Sequence, residues 1–254
     1  MKKLGAFLAG VGLLAGVTVA ADSNTATSVN AVGFVKVTVP SYPNFVAVAF
    51  NFEGIGGFPA SVQEIIGTNV LRRNGLFTKA DKLQIYDAQN QRWIQYFQKT
   101  DGLFYITTNT SVAVSPPMLN PGQGFFISPP VTATNTTLDV AVSGEVVTSN
   151  IYTQQIVQGL QLFTSPFASD FNIYSNNWVA DGARANALFS KADRIYVWNG
   201  ATWDQFFLKS TGWYYVSNPS VQVTNGVIPV GGGAWYQART NYTLTIDKPY
   251  SFPL

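Results

Sequence analysis

The chain has 254 residues, of which 46% are hydrophobic, 14% aromatic and only 11% charged. That charged share is less than half of the roughly 25% usual in soluble domains. Cysteine and histidine are absent, which excludes disulfides, thiol nucleophiles, thiolate zinc sites, Ser-His-Asp catalysis and HExxH hydrolysis, and leaves no expected cofactor or metal.

The first residues have the three parts of a secretory signal. Lys2 and Lys3 are basic, Leu4 to Val19 is apolar, and Thr18-Val19-Ala20-Ala21 offers small residues for cleavage after Ala20 or Ala21. The apolar run is shorter than the roughly 20 residues of a membrane span. Residues 1–21 are therefore expected to be removed, leaving an exported protein of the extracellular space, cell surface or periplasm with no membrane span. Loss of Lys2 and Lys3 takes the 15 basic residues to 13, against 13 acidic ones. A neutral chain in which only Arg72-Arg73 approaches a basic stripe is not expected to bind nucleic acid. Neutrality favours self-association instead.

Beyond the leader the chain repeats itself. Asn74-Gly-Leu-Phe-Thr-Lys-Ala-Asp81 aligns with Asn186-Ala-Leu-Phe-Ser-Lys-Ala-Asp193, identical at six of eight positions. Trp93, Gln95, Phe97, Lys99, Gly102 and Tyr105 match Trp203, Gln205, Phe207, Lys209, Gly212 and Tyr215, and Gly122 and Gly124 match Gly231 and Gly233. Asn44 to Phe50 aligns more weakly with Gly159 to Ser165. The expected organisation is β repeat 1 at 22–147 and β repeat 2 at 148–254, each of ordinary domain size.

The local pattern is all-β. Val32 to Val39 alternates, with Val35, Val37 and Val39 on one side and Lys36 and Thr38 on the other. Phe45 to Phe50 is a continuous apolar run, as in a strand buried on both faces. Asn199-Gly200 between Tyr196-Val-Trp198 and Trp203 predicts a hairpin. Only Ala60 to Ile66 and Ala183 to Phe189 suit a short helix. Strands spaced by Pro, Gly and Asn clusters predict two related β-sandwich or barrel-like units, separate or fused as a pseudo-twofold pair.

Asn30-Ala-Val-Gly-Phe-Val35, Leu119-Asn-Pro-Gly-Gln-Gly-Phe-Phe-Ile127 and Ser143-Gly-Glu-Val146 occur in that order. On these pieces the chain resembles a group of signal-bearing, two-repeat β-proteins of verrucomicrobial and related bacteria. The resemblance implies export and architecture; the group has no established activity, so it supplies no catalytic residue. Repeat 2 departs from the pattern at Val230-Gly-Gly-Gly-Ala-Trp235.

The repeated Lys79/Asp81 and Lys191/Asp193 are expected to be structural, the aspartate turning the chain into the next strand and the lysine solvated. Asn74, Asn186, Trp93 and the glycines Gly122, Gly124, Gly231 and Gly233 are read the same way. The glycines lack the Lys-Ser/Thr of a phosphate loop and suit a close backbone approach. Hairpin parity puts Tyr196, Trp198, Trp203 and Phe207 on one sheet face, making them the ligand-contact candidates, with Gln84, Tyr86, Trp93 and Phe97 as their counterparts. Three readings follow: a non-enzymatic structural or self-associating surface protein, a carbohydrate-binding protein using those aromatics, and a carboxylate-dependent glycan hydrolase or lyase. The last would need two close carboxylates among three Glu and ten Asp.

Overall fold

The computed structural model describes residues 31–55 and 59–250. The expected leader lies outside them. Within them the chain is all-β, built from antiparallel sheets with two short helices.

The first part of the chain runs through β1 (Val32–Val39), β2 (Val46–Ala49), β3 (Ala60–Ser61), α1 (Val62–Ile66), β4 (Lys82–Asp87), β5 (Arg92–Gln98), β6 (Phe104–Ile106), β7 (Asn109–Val114), β8 (Met118–Leu119), β9 (Gly124–Ser128) and β10 (Leu138–Glu145). The second runs through β11 (Ile151–Ile156), β12 (Gly159–Phe163), β13 (Phe171–Asn172), α2 (Trp178–Asp181), β14 (Arg194–Trp198), β15 (Trp203–Lys209), β16 (Gly212–Tyr215), β17 (Val227–Ile228), β18 (Ala234–Ala238) and β19 (Tyr242–Asp247).

Pairing follows one scheme in both parts. The first forms a sheet of order β2-β9-β4-β5-β6-β7 with side pairs β1-β10 and β3-β8; the second forms β12-β18-β14-β15-β16 with side pairs β11-β19 and β13-β17. Each core lies between the main sheet and its long side pair. In the first, Val37, Val39, Val140 and Val142 of the pair meet Val48, Leu83, Phe125 and Ile127 of the sheet, with Val62, Ile65 and Ile66 of α1 closing one end. In the second, Ile156, Leu244 and Ile246 meet Ile195, Phe206 and Tyr236 around the fully buried Trp178. The alternation along β1 is as expected, with Val37 and Val39 inside and Lys36 and Thr38 outside.

Two details differ from expectation. Ala183 to Phe189 is not helical; the helix falls at α2, just upstream. The backbone there is taken by other partners, since Asn186 Oδ1 accepts from the Leu188 amide and the Arg184 N–H and C=O both bond to Asp193, a side-chain competition that breaks helices. The Phe45 end of the apolar run is exposed; only Val48 and Ala49 of β2 are buried. The expected hairpin at Asn199-Gly200 is present with a four-residue loop, since Trp198 pairs with Trp203, and only Gly200 has positive φ.

Register also moves one alignment. Phe97 pairs with Tyr105 and Phe207 with Tyr214, so Tyr105 corresponds to Tyr214 and not Tyr215. The turn after Lys99 is one residue longer than that after Lys209. Carrying this shift forward aligns Asn109-Thr-Ser-Val-Ala-Val114 with Asn218-Pro-Ser-Val-Gln-Val223, identical at four of six positions. The match extends to contacts: Lys99 Nζ donates to the Thr110 carbonyl and Lys209 Nζ to the Pro219 carbonyl, both at 2.6 Å.

Candidate functional site

Lys79 and Lys191 are exposed, whereas Asp81 and Asp193 are fully buried. Each aspartate reaches back nine residues. Asp81 Oδ2 accepts from the Arg72 amide at 2.7 Å and Asp193 Oδ2 from the Arg184 amide at 3.0 Å. Asn74 and Asn186 make matching turns, accepting from the amides of Leu76 and Leu188. The two carboxylates then diverge. Asp193 also accepts from the Tyr236 hydroxyl at 2.7 Å and the Arg239 amide at 2.6 Å. The corresponding positions near Asp81 are Ile127 and Pro130, which have no hydroxyl and no N–H. Asp81 Oδ1 is accordingly buried without a partner, although Arg72 Nε lies 3.6 Å from Oδ2. Burial pushes both carboxyls above the ordinary aspartate value.

The glycines lie where the two parts meet. Gly122 and Gly231 both have φ near +80°, a conformation that favours glycine. A Cβ on Gly231 would fall 2.6 Å from Val35 of β1, and one on Gly122 would fall 3.0 Å from Gln154, the matching residue of β11. The amide of Ala49 donates to the Gly231 carbonyl at 3.1 Å, and that of Thr164 to the Gly122 carbonyl at 3.3 Å. Asn51, fully buried, joins both sides: its Nδ2 donates to the Ser165 carbonyl at 2.6 Å and its Oδ1 accepts from the Gly231 amide at 2.9 Å. Gly124 and Gly233 both approach Leu162.

Tyr196, Trp198, Trp203 and Phe207 share one face, as the β14–β15 register requires. They do not share one environment. Phe207 is fully buried beneath Phe189 and Tyr214, so it is corrected from ligand contact to packing. Its face is closed at that end by the Lys191 turn. At the other end Trp198 is 49% exposed and lies 5.3 Å from Trp203, ring centroid to ring centroid. The matching pair Tyr86 and Trp93 is 5.2 Å apart, and Trp93 is 43% exposed. Gln84 on the same face is half-buried and bonds to Ser128. Sequence reasoning missed Trp235, whose ring crosses to the first sheet and stacks on Phe126 at 5.8 Å. The signal was available, because Trp235 corresponds to Phe126 in the aligned glycine-rich segments.

Two carboxylates do come together. Glu53 and Glu145 exchange backbone hydrogen bonds, 2.8 Å in each direction, which puts their side chains on one face. Burial, and then the charge of Glu145, raise the Glu53 carboxyl above its ordinary 4.5. Tyr152 nearby is pushed up to about 12 by burial and by Glu53. A raised folded value means that Glu53 adds most to stability below pH 4.5 and loses that contribution as pH rises through the folded value. The melting temperature of Glu53→Gln should therefore gain on that of the parent as pH climbs above 4.5. A constant difference across a pH series of thermal scans would refute the assignment.

Among the described residues no group of three or more Asp or Glu is placed to hold a metal ion, and no helix is long and apolar enough to cross a membrane. Two surface depressions stand out, one of about 50 Å³ beside Asp170 and Asp247 and one of about 230 Å³ beside Asn186 and Lys209. Neither contains Glu53 or the exposed tryptophans. No protein-family model, curated protein or solved structure matches the chain.

Proposed function

We propose that this is an exported, non-enzymatic structural protein whose copies join edge to edge by strand addition at β7. The observation that carries the reading is the character of that edge. β7 is the outermost strand of the six-stranded sheet, paired only with β6. Its sequence, Asn-Thr-Ser-Val-Ala-Val, contains no charge, proline or glycine, and Val112 is 57% exposed. Such an edge offers outward N–H and C=O groups without charged or proline residues in the strand itself, the guards at hand being the register shift opposite Tyr105/Ile106 and the Lys99 contact to the Thr110 carbonyl. The opposite edge of the sheet, β2, is covered by the Gly231 carbonyl. The segment matched to β7 carries Pro219 in place of Thr110 and makes only one bridge, Tyr214 to Gln222. The open edge at β7 suits a closed, twofold pairing of β7 with β7 of another copy.

We read the chain itself as a duplication fused about a pseudo-twofold axis. Support comes from the reciprocal contacts at the junction, where Ala49 with Gly231 mirrors Thr164 with Gly122 and equivalent rings, Phe126 and Trp235, stack on each other. Contacts in which i meets j and j meets i mark an isologous interface.

Sedimentation velocity on the chain lacking residues 1–21 tests the assembly. Concentration-dependent dimerisation is expected. Thr110→Pro installs what the matched position already tolerates and leaves the Lys99 contact to the carbonyl intact, so it should give a folded monomer. A parent protein that stays monomeric at every concentration, or a proline variant that associates equally well, would reject strand addition at β7.

A further inference from the structure

We propose that the aromatic face running across the junction of the two sheets is a binding platform for an extended neutral polysaccharide, one whose equatorial hydroxyls leave the flat faces of its pyranose rings apolar. The platform is built from both parts of the chain. Trp235 stands edge-on to Trp93 at 5.5 Å and to Tyr86 at 5.3 Å, while its own ring stacks on Phe126. Phe126 is almost wholly covered, whereas Trp93 presents 43% of its surface and the neighbouring Phe45, edge-on to Phe126 at 5.5 Å, presents 59%. A buried centre with an exposed rim fixes the outer rings before any ligand arrives, which lowers the ordering cost of binding.

Register carries the surface further. Trp235 pairs with Tyr196, and Tyr196 is followed two residues along the same face by Trp198, whose ring contacts Trp203. Aromatic rings therefore extend from β5 across β18 to the β14–β15 hairpin, a line suited to several consecutive sugar rings.

The polar groups among these rings select the ligand class. The face positions of β4, β5, β14, β15 and β18 that lie between the aromatics are Gln84, Gln95, Gln205 and Gln237. No Asp or Glu occupies a face position of those strands, and the three basic ones, Lys82, Arg194 and Lys209, lie at the far end next to the buried phenylalanines. Arg194 is engaged by Gln237 and packs over Phe189 and Tyr196. Amides donate and accept at once, as a hydroxyl-rich neutral polymer requires; an anionic polymer would find little cationic surface near the tryptophans. An aromatic surface without acidic groups, distinct from the β7 edge, fits a chain molecule lying across it.

The test is retention of the mature protein on microcrystalline cellulose and insoluble chitin, with soluble dextran sulfate as the charged comparison, and tryptophan fluorescence during titration with cellohexaose. Retention that survives high salt is expected, together with a fluorescence change and indifference to dextran sulfate. Trp93→Ala and Trp198→Ala should each weaken retention by about tenfold, the order of one lost aromatic contact. Trp198 is half-exposed, so Trp198→Ala should melt close to the parent, while Trp93→Ala, which also loses ring contacts to Tyr86, Phe126 and Trp235, should melt lower but stay folded. Thr110→Pro should bind as the parent does, which separates this platform from the self-association edge. The proposal is overturned if no neutral polysaccharide retains the parent, or if both alanine variants are retained equally well. It is overturned too if Trp93→Ala changes the sedimentation profile without changing retention, since the rings would then be a contact between copies.

Discussion

Asp193→Ala should lower the stability of the protein by about 3–5 kcal/mol, whereas Asp81→Ala, at the matched position, should cost only about 1–2 kcal/mol. The difference lies in what each carboxylate leaves behind. Removing Asp193 strands the amides of Arg184 and Arg239 and takes one of two partners from the Tyr236 hydroxyl, all close to a fully buried position. Buried donors without acceptors each cost about 1–3 kcal/mol. Removing Asp81 strands a single amide, that of Arg72, and also deletes an oxygen that had no partner to lose. In a chain of this size, about 2–4 °C of melting temperature accompanies each kcal/mol. Asp193→Ala should thus melt about 6–20 °C below the parent. Paired thermal melts decide the matter, and equal losses from the two substitutions would contradict the asymmetry between Pro130 and Arg239.

A second large effect is expected at the junction. Asn51→Ala removes the one side chain that bonds to Ser165 with its amide and to Gly231 with its carbonyl. Two buried backbone groups lose their partners, at a combined cost of about 2–5 kcal/mol. The loss falls between two cores instead of inside either. The parent is expected to unfold in one cooperative transition, and in the variant that transition should broaden or split into two in calorimetry. A variant that melts lower but still in one sharp transition would mean that other contacts suffice to couple the cores.

Much of the fold was legible because its signals are local. The alternation of Val32 to Val39 is a one-dimensional pattern, and the strand ends where that pattern does. The shared face of Tyr196, Trp198 and Trp203 followed from parity alone. What was not legible depended on distant partners. Nothing near Phe207 in the sequence says that Phe189 and Tyr214 will cover it. Trp235 crosses to Phe126 only because two glycine-rich segments let the sheets approach. The Asn109 and Asn218 segments escaped notice because a turn one residue shorter displaced them, and register restored the match. Ala183 to Phe189 has helical composition, but its backbone is claimed by Asp193, more than a turn of chain away.

The strand pairs that close each core also set a folding order. β1 pairs with β10, and β11 with β19, so the first and last strands of each part meet across roughly a hundred residues. Val39 opposite Leu138 and Val32 opposite Glu145 are its two limits. Loop closure must precede the reward of such contacts, which makes high-contact-order folding slow. A chain threaded outward from its N-terminus could not seal its first core until Glu145 had emerged. Until then, Val37 and Val39 would lack the neighbours that bury them, and any factor that binds unpaired strands during synthesis would act over that interval.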